Sequence, residues 1–153
     1  MIKNILLAFD GSEYSYRALQ YAKMFADRFE ATLWLVHIFT HTSDLFGYED
    51  YEKFYSKRKA SGQTLLNEAF QELSNSSCKV REKLEEGPEA ESILNIAKKC
   101  QADLIVMGTR GHGTLKGLLV GSVSRKGHSP FFLPSDGSAL EMNKFPATTN
   151  MRI

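Results

Sequence analysis

Residues 103–111 read Asp-Leu-Ile-Val-Met-Gly-Thr-Arg-Gly, DLIVMGTRG. Leu104 to Met107 is apolar without a break, the pattern of a strand covered on both faces in the middle of a parallel sheet. Glycine follows at once. The run from Gly108 to Ser122, GTRGHGTLKGLLVGS, holds five of the chain's eleven glycines. Glycine inside a regular element costs about 0.5–1 kcal/mol relative to alanine, so these positions need bare backbone for something.

Two further runs share the character of residues 104–107. Ile5-Leu6-Leu7-Ala8-Phe9 and Leu33 to Phe39 (LWLVHIF) are also strands buried on both faces. Asp10-Gly11-Ser12 closes the first as a turn, with Ser12 placed to cap a helix. Ala18, Leu19, Ala22, Phe25, Ala26 and Phe29 then recur at helical spacing. A long helix is predicted over Tyr51–Leu73, with Leu65, Leu66, Ala69, Phe70 and Leu73 on one face and Gly62 marking a bend. From Cys78 to Glu85 apolar and charged residues alternate, as in a half-exposed strand at a sheet edge. Gly87-Pro88 ends it. Pro88 opens a helix as its first residue, with a stripe of Ala90, Ile93, Leu94, Ala97 and Cys100.

Strand and helix thus alternate, which specifies an α/β domain with a mostly parallel sheet and right-handed crossovers. The apolar strands belong inside and the charged third strand outside, so the order is 3-2-1-4, Rossmann-like, with helices on both faces. Strand order then reverses between the first and fourth strands, where open parallel sheets bind ligands beyond their carboxyl ends. Asp10-Gly11-Ser12 forms one wall of that crevice and the loop from Gly108 the other.

Bare amides in such a loop can approach an anion, and a helix starting near Gly121-Ser122 would favour phosphate through its free N–H groups. Asp10 repels phosphate and suits a ribose hydroxyl or a Mg²⁺ ion. The run reads GxxGxG after the fourth strand, which counts against a dinucleotide dehydrogenase, and no GxxxxGK[ST] occurs. Spacing alone leaves nucleotide binding and a structural glycine loop both open; the crevice rule supports the former.

Gly108-x2-Gly111-x9-Gly121-Ser122 resembles the nucleotide-binding motif of the universal stress protein family, in its ATP-binding branch. ILLAFDGS (5–12), LVHIF (35–39) and ADLIVMGTRG (102–111) are similar to that family's first, second and fourth strands. The resemblance implies a 3-2-1-4-5 sheet and a set of roles. Ala8 would line the pocket, Asp10 would face ribose or adenine, and Ile38 would meet adenine through its backbone. Met107 and Gly108 would flank the ribose. Gly111, Gly121, Ser122, Val123 and Ser124 would hold the phosphates. Arg110 and Lys116 are phosphate-side candidates outside the motif, and Mg²⁺ near Asp10 or the phosphates is the metal candidate. The implied function is a cytoplasmic stress-response protein that binds ATP as a regulatory ligand for an unidentified protein partner. A slow ATP hydrolase or phosphotransferase and a nucleotide-free interaction module are the alternatives. No catalytic residue stands out, because none is fixed to offset γ-phosphate charge or to activate water.

After Lys126 the chain departs from the family pattern. Phe131-Phe132-Leu133 before Pro134 is short for a fifth strand, which leaves that strand, and a homodimer built through it, open. The domain is expected over residues 1–133, with 134–153 as a flexible tail.

Composition narrows the partners. A net charge of +1 argues against nucleic acid or an anionic membrane surface. Cys78 and Cys100 fit no disulfide framework or CxxC motif, and the chain opens on no signal-peptide pattern, so a reducing cytoplasm is expected. His37 and His41 are read as structural, because a strand and a loop do not share a helical ligand face. The acidic stretch Glu82–Glu91 is read as a solvated strand end and helix start. Tyr48, Tyr51, Phe54 and Tyr55 are read as packing over the second helix.

Overall fold

The three apolar runs become the inner strands of one sheet. The computed structural model describes residues 1–39, 49–108 and 131–134. In chain order these form β1 (Asn4–Ala8), α1 (Glu13–Phe29), β2 (Thr32–Phe39), α2 (Tyr51–Glu72), β3 (Val80–Glu86), α3 (Glu89–Lys99), β4 (Leu104–Met107) and β5 (Phe131–Pro134). The sheet order is β3-β2-β1-β4-β5; its first four strands stand as the apolar and charged patterns predict, and the fifth is the strand the family resemblance implies. The first four strands are parallel.

Side chains leave a strand on alternate faces, and here the alternation sorts two cores. Ile5, Leu7, Leu33, Leu35, Leu104 and Val106 lie under α1 and α2, with Ala18, Leu19, Ala22, Leu66 and Ala69. Leu6, Val36, Ile105 and Met107 lie under α3, with Ile93, Ile96 and Ala97. Each fully buried leucine or isoleucine contributes about 1.5–3 kcal/mol relative to exposure. Asp103 ties the amino ends of β1 and β4: its Oδ2 accepts from the Lys3 and Asn4 amides at 2.7 and 2.9 Å. No helix among the described residues is long and apolar enough to cross a membrane.

The short run at 131–133 does form a strand. β5 runs antiparallel to β4, with Met107 opposite Phe131 and Leu104 opposite Pro134. An edge strand bonds on one side only, so its proline is tolerated. The strand reaches one residue past the expected domain limit at 133. The tail beyond it lies outside the described residues.

Several local expectations are corrected. β3 begins at Val80 because Asp27 captures the residues before it. Its Oδ1 accepts from Ser76 Oγ (2.6 Å), the Ser77 amide (2.9 Å), Ser77 Oγ (3.1 Å) and the Cys78 amide (3.1 Å). Pro88 is the N-cap of α3 rather than its first residue. Leu94 and Phe70 are exposed, and Ile96 fills the inward row of α3 that Leu94 was expected to occupy. Cys78 and Cys100 need no such correction: both are free thiols.

Gly62 is a point of close approach rather than the bend expected there. It is buried inside α2, and a Cβ there would lie 2.8 Å from Leu84 Cδ1 and 2.9 Å from His37 Cδ2. His37 has little freedom to yield, because its Nδ1–H donates to the Phe9 carbonyl at 2.7 Å. That bond gives His37 the structural role expected of it. Aromatic packing follows expectation at Tyr55, which meets Phe39 edge-on at 5.7 Å and stacks on Tyr51 at 6.4 Å. Phe54 does not follow it and is exposed. His41 and Tyr48 lie outside the described residues.

Gly62→Val should therefore destabilise the fold by about 1–3 kcal/mol through overpacking, read as a lowered midpoint in urea. A second outcome concerns Asp27. Burial alone would raise its carboxyl pKa, but the donors from Ser76, Ser77 and Cys78 outweigh it and hold the group below the ordinary carboxylate value. A lowered folded-state pKa contributes stability above the unfolded value, near 4, that is lost as pH falls through the folded one. Asp27→Asn should cost about 1 kcal/mol at pH 7, modest because the carboxylate is partly solvated. In denaturation curves the gap to wild type should narrow below pH 4; a gap independent of pH would contradict this account.

Candidate functional site

The register of the inner strands brings one set of residues to one edge. Ala8 pairs with Val36 on one side and Met107 on the other, so β1 and β4 end on one rung while β2 runs on beside them to Phe39. The ladder continues one residue further, where the Phe9 amide donates to the Val36 carbonyl at 2.8 Å. Ala8, Ile38 and Met107 belong to the α3 face of the sheet. By the same alternation Asp10, two residues after Ala8, leaves the chain toward that face. Gly108 follows Met107 directly.

The turn after β1 is set by glycine. Gly11 has φ +80°, a left-handed conformation that side chains rarely adopt. A Cβ there would also lie 2.7 Å from Leu65 Cδ2 on α2. This turn brings the Ser12 amide to Asp10 Oδ1 at 2.9 Å. Ser12 in turn caps α1, its Oγ accepting from the Ser15 amide at 3.2 Å. One carboxyl oxygen of Asp10 is thus held by the backbone at the mouth of the crevice.

Glu89 lies close enough to this end to feel the charge of Asp10, although its stretch of sequence, Glu82–Glu91, reads as a solvated strand end and helix start. It is the first residue of α3 and only partly exposed. Burial raises its carboxyl pKa, and the charge of Asp10 raises it further. The signal that could have found it is spacing: Glu89 precedes Ile93 by four residues and so extends the inward row of the helix.

The structure therefore gathers five of the expected site residues, Ala8, Asp10, Ile38, Met107 and Gly108, at the carboxyl edge of β1, β2 and β4. Arg110, Gly111, Lys116, Gly121, Ser122, Val123 and Ser124 lie outside the described residues. What is gathered is a partly buried apolar side chain (Ile38), the buried Met107 beneath this edge, a small residue (Ala8), bare backbone (Gly108) and a hydrogen-bond acceptor held by the backbone (Asp10). Among the described residues no three His, Cys, Asp or Glu side chains come together to hold a metal ion.

Comparison with known proteins agrees with the fold. The model of the universal stress protein family matches residues 1–126. The chain is 37% identical over 126 residues to a universal stress protein of Thermus aquaticus, covering 82% of this chain and 90% of that one. The structure of the hypothetical protein MJ0577 superposes with a TM-score of 0.67 at 28% identity, over 85% of this chain and 93% of that one. A universal stress protein in complex with cAMP superposes with a TM-score of 0.58 at 24% identity, over 84% and 93% of the two chains. By its sequence and its sheet alike, this chain belongs to the universal stress protein family.

Proposed function

We propose that the crevice at the carboxyl ends of β1, β2 and β4 binds an adenine nucleotide, with ATP as the physiological ligand, and that the protein acts in a stress response. The observation that carries this reading is the convergence of Ala8, Asp10, Ile38, Met107 and Gly108 on one edge, where strand order reverses. In this reading adenine lies against Ile38 and Met107, with Ala8 leaving the space. Asp10 accepts from the sugar or the base. The amides from Gly108 onward, with Gly111, Gly121, Ser122, Val123 and Ser124, take the phosphates. Arg110 and Lys116 would serve the phosphate side, and a Mg²⁺ ion, where one is bound, would be held near Asp10 or the phosphates. One relative with the same fold is a complex with cAMP, so this architecture is able to hold an adenine nucleotide.

The nucleotide serves as a ligand that shifts a conformational equilibrium rather than as a substrate. Its binding would bias the segment after Gly108 and so alter the surface offered to a protein partner. The cytoplasm is the compartment that fits a chain with two free thiols.

Calorimetric titration of the whole chain with ATP, ADP and AMP tests the reading. Saturable heat is expected, with a Kd between micromolar and millimolar. Asp10→Asn keeps an acceptor for the Ser12 amide but removes the charge; it should weaken ATP binding about tenfold, the worth of one charged hydrogen bond near 1.4 kcal/mol. No heat with any of the three at millimolar concentration would remove the reading.

A further inference from the structure

We propose that the first half of α2 is a docking surface for an acidic segment of a partner protein, held by Lys53, Lys57 and Lys59 around the exposed ring of Phe54. The inference goes beyond the nucleotide reading and does not depend on it.

α2 is longer than the sheet it covers. It runs opposite to β2, as a crossover between parallel strands requires. Gly62 is its first buried residue, seated against His37 and Leu84. From Gly62 the helix runs back to Tyr51, about 16 Å at 1.5 Å per residue. Beyond His37, β2 has only Ile38 and Phe39 left, about 7 Å of strand. The helix therefore reaches past the carboxyl edge of the sheet. From Glu52 to Ser61 every residue is exposed except Tyr55, which lies against Phe39. The buried half fixes the direction of this projection, with Gly62 held between His37 and Leu84 and Leu65 set against the turn at Gly11.

The projecting residues, EKFYSKRKAS (52–61), carry Lys53, Lys57, Arg58 and Lys59 against one acid, Glu52, in a chain whose net charge is +1. Arg58 is engaged by another group. Lys59 lies over the ring of Tyr55, 6.0 Å from its centroid. Lys53 and Lys57 stand four residues apart and so share one side of the helix. Phe54, 45% exposed, lies beside them. These residues work against the helix that bears them. Like charges four residues apart repel, and a cation in the first turn opposes the dipole. No core contact offsets this, because the segment is exposed all round. Residues that break local rules without a local gain mark functional positions.

Charge sets the class of partner. Three lysines are complemented by carboxylates or by phosphates, and the surroundings favour carboxylates on a short segment. Lys53 to Lys59 spans only about 9 Å of helix. Acids border it: Glu49, Asp50 and Glu52 at one end, and Glu85 and Glu86 at the carboxyl end of β3, the strand α2 packs beside. A long phosphate backbone or an anionic bilayer would meet those carboxylates; a short protein segment need not. Phe54 supplies an apolar centre, the kind of aromatic anchor on which protein interfaces depend. The lysines around it steer and orient an acidic partner. The occupant is thus a protein segment with carboxylates about one helical turn apart, flanking an apolar side chain.

The test titrates the whole chain, without nucleotide, into a short fluorescein-labelled peptide of Glu, Leu and Ala and follows anisotropy. Saturable binding is expected, about tenfold tighter than to the same peptide with Gln for Glu. It should weaken severalfold between about 0.05 and 0.5 M salt, across which the screening length falls about threefold. The double substitution Lys53→Glu and Lys57→Glu should weaken binding by about tenfold or more. The fold should hold, because an acid early in a helix suits the dipole; circular dichroism and the urea midpoint check this. Lys98→Glu with Lys99→Glu makes the same charge change in the exposed last turn of α3 and should leave Kd within about twofold. Phe54→Ala should weaken binding about fivefold with the salt dependence unchanged. Absence of binding to the Glu peptide at millimolar concentration would overturn the proposal. So would binding that survives the reversal at 53 and 57, falls equally with the reversal at 98 and 99, or ignores Phe54→Ala. Tighter binding to single-stranded RNA, duplex DNA or phosphatidylserine vesicles than to the acidic peptide would overturn it in favour of a polyanion. None of these results bears on the crevice, so the nucleotide reading stands or falls by its own titration.

Discussion

The pairing of β1 with both β2 and β4 is the constraint on which the rest depends. Ala8 stands opposite Val36 and opposite Met107 in the same rung. Because both pairings are parallel, all three strands end at one edge, and residues far apart in sequence become neighbours there. A shift of one residue in either ladder would turn every side chain to the opposite face. Ala8 and Met107 would then leave the α3 side, and the core alternation of Leu6 and Leu7 or Ile105 and Val106 would fail with them. The register that buries the core is thus the register that builds the crevice.

Much of this was legible in residue patterns. Unbroken apolar runs at 5–9, 33–39 and 104–107 identify strands covered on both faces, and alternating charge identifies β3 as an edge. Those facts suffice for the order 3-2-1-4. Less legible were features set by single tertiary contacts. Periodicity carried the third strand back to Cys78, but Asp27, 51 residues earlier, holds that segment as a turn. Gly62 looks like a helix interruption until α2 is placed against His37 and Leu84. Phe131–Leu133 is too short to predict a strand by itself, yet a formed neighbour supplies the ladder it needs.

The candidate site divides the same way. Ala8, Asp10, Ile38, Met107 and Gly108 were legible because each sits at the end of a strand that the sequence marks, and the family resemblance names the same positions. Glu89 was not, because an acidic residue at a helix start has an ordinary explanation in the helix dipole. Only the packing of α3 on Val36 and Met107 makes its inward position visible.

The most direct measurement is an amide-resolved NMR titration of the ¹⁵N-labelled chain with ATP. The account predicts progressive, saturable shifts at Ala8, Asp10, Ile38 and Gly108, with Asn4, Thr32 and Leu104 at the opposite end of the same strands unmoved. Shifts confined to that opposite end, or none at saturating nucleotide, would contradict it.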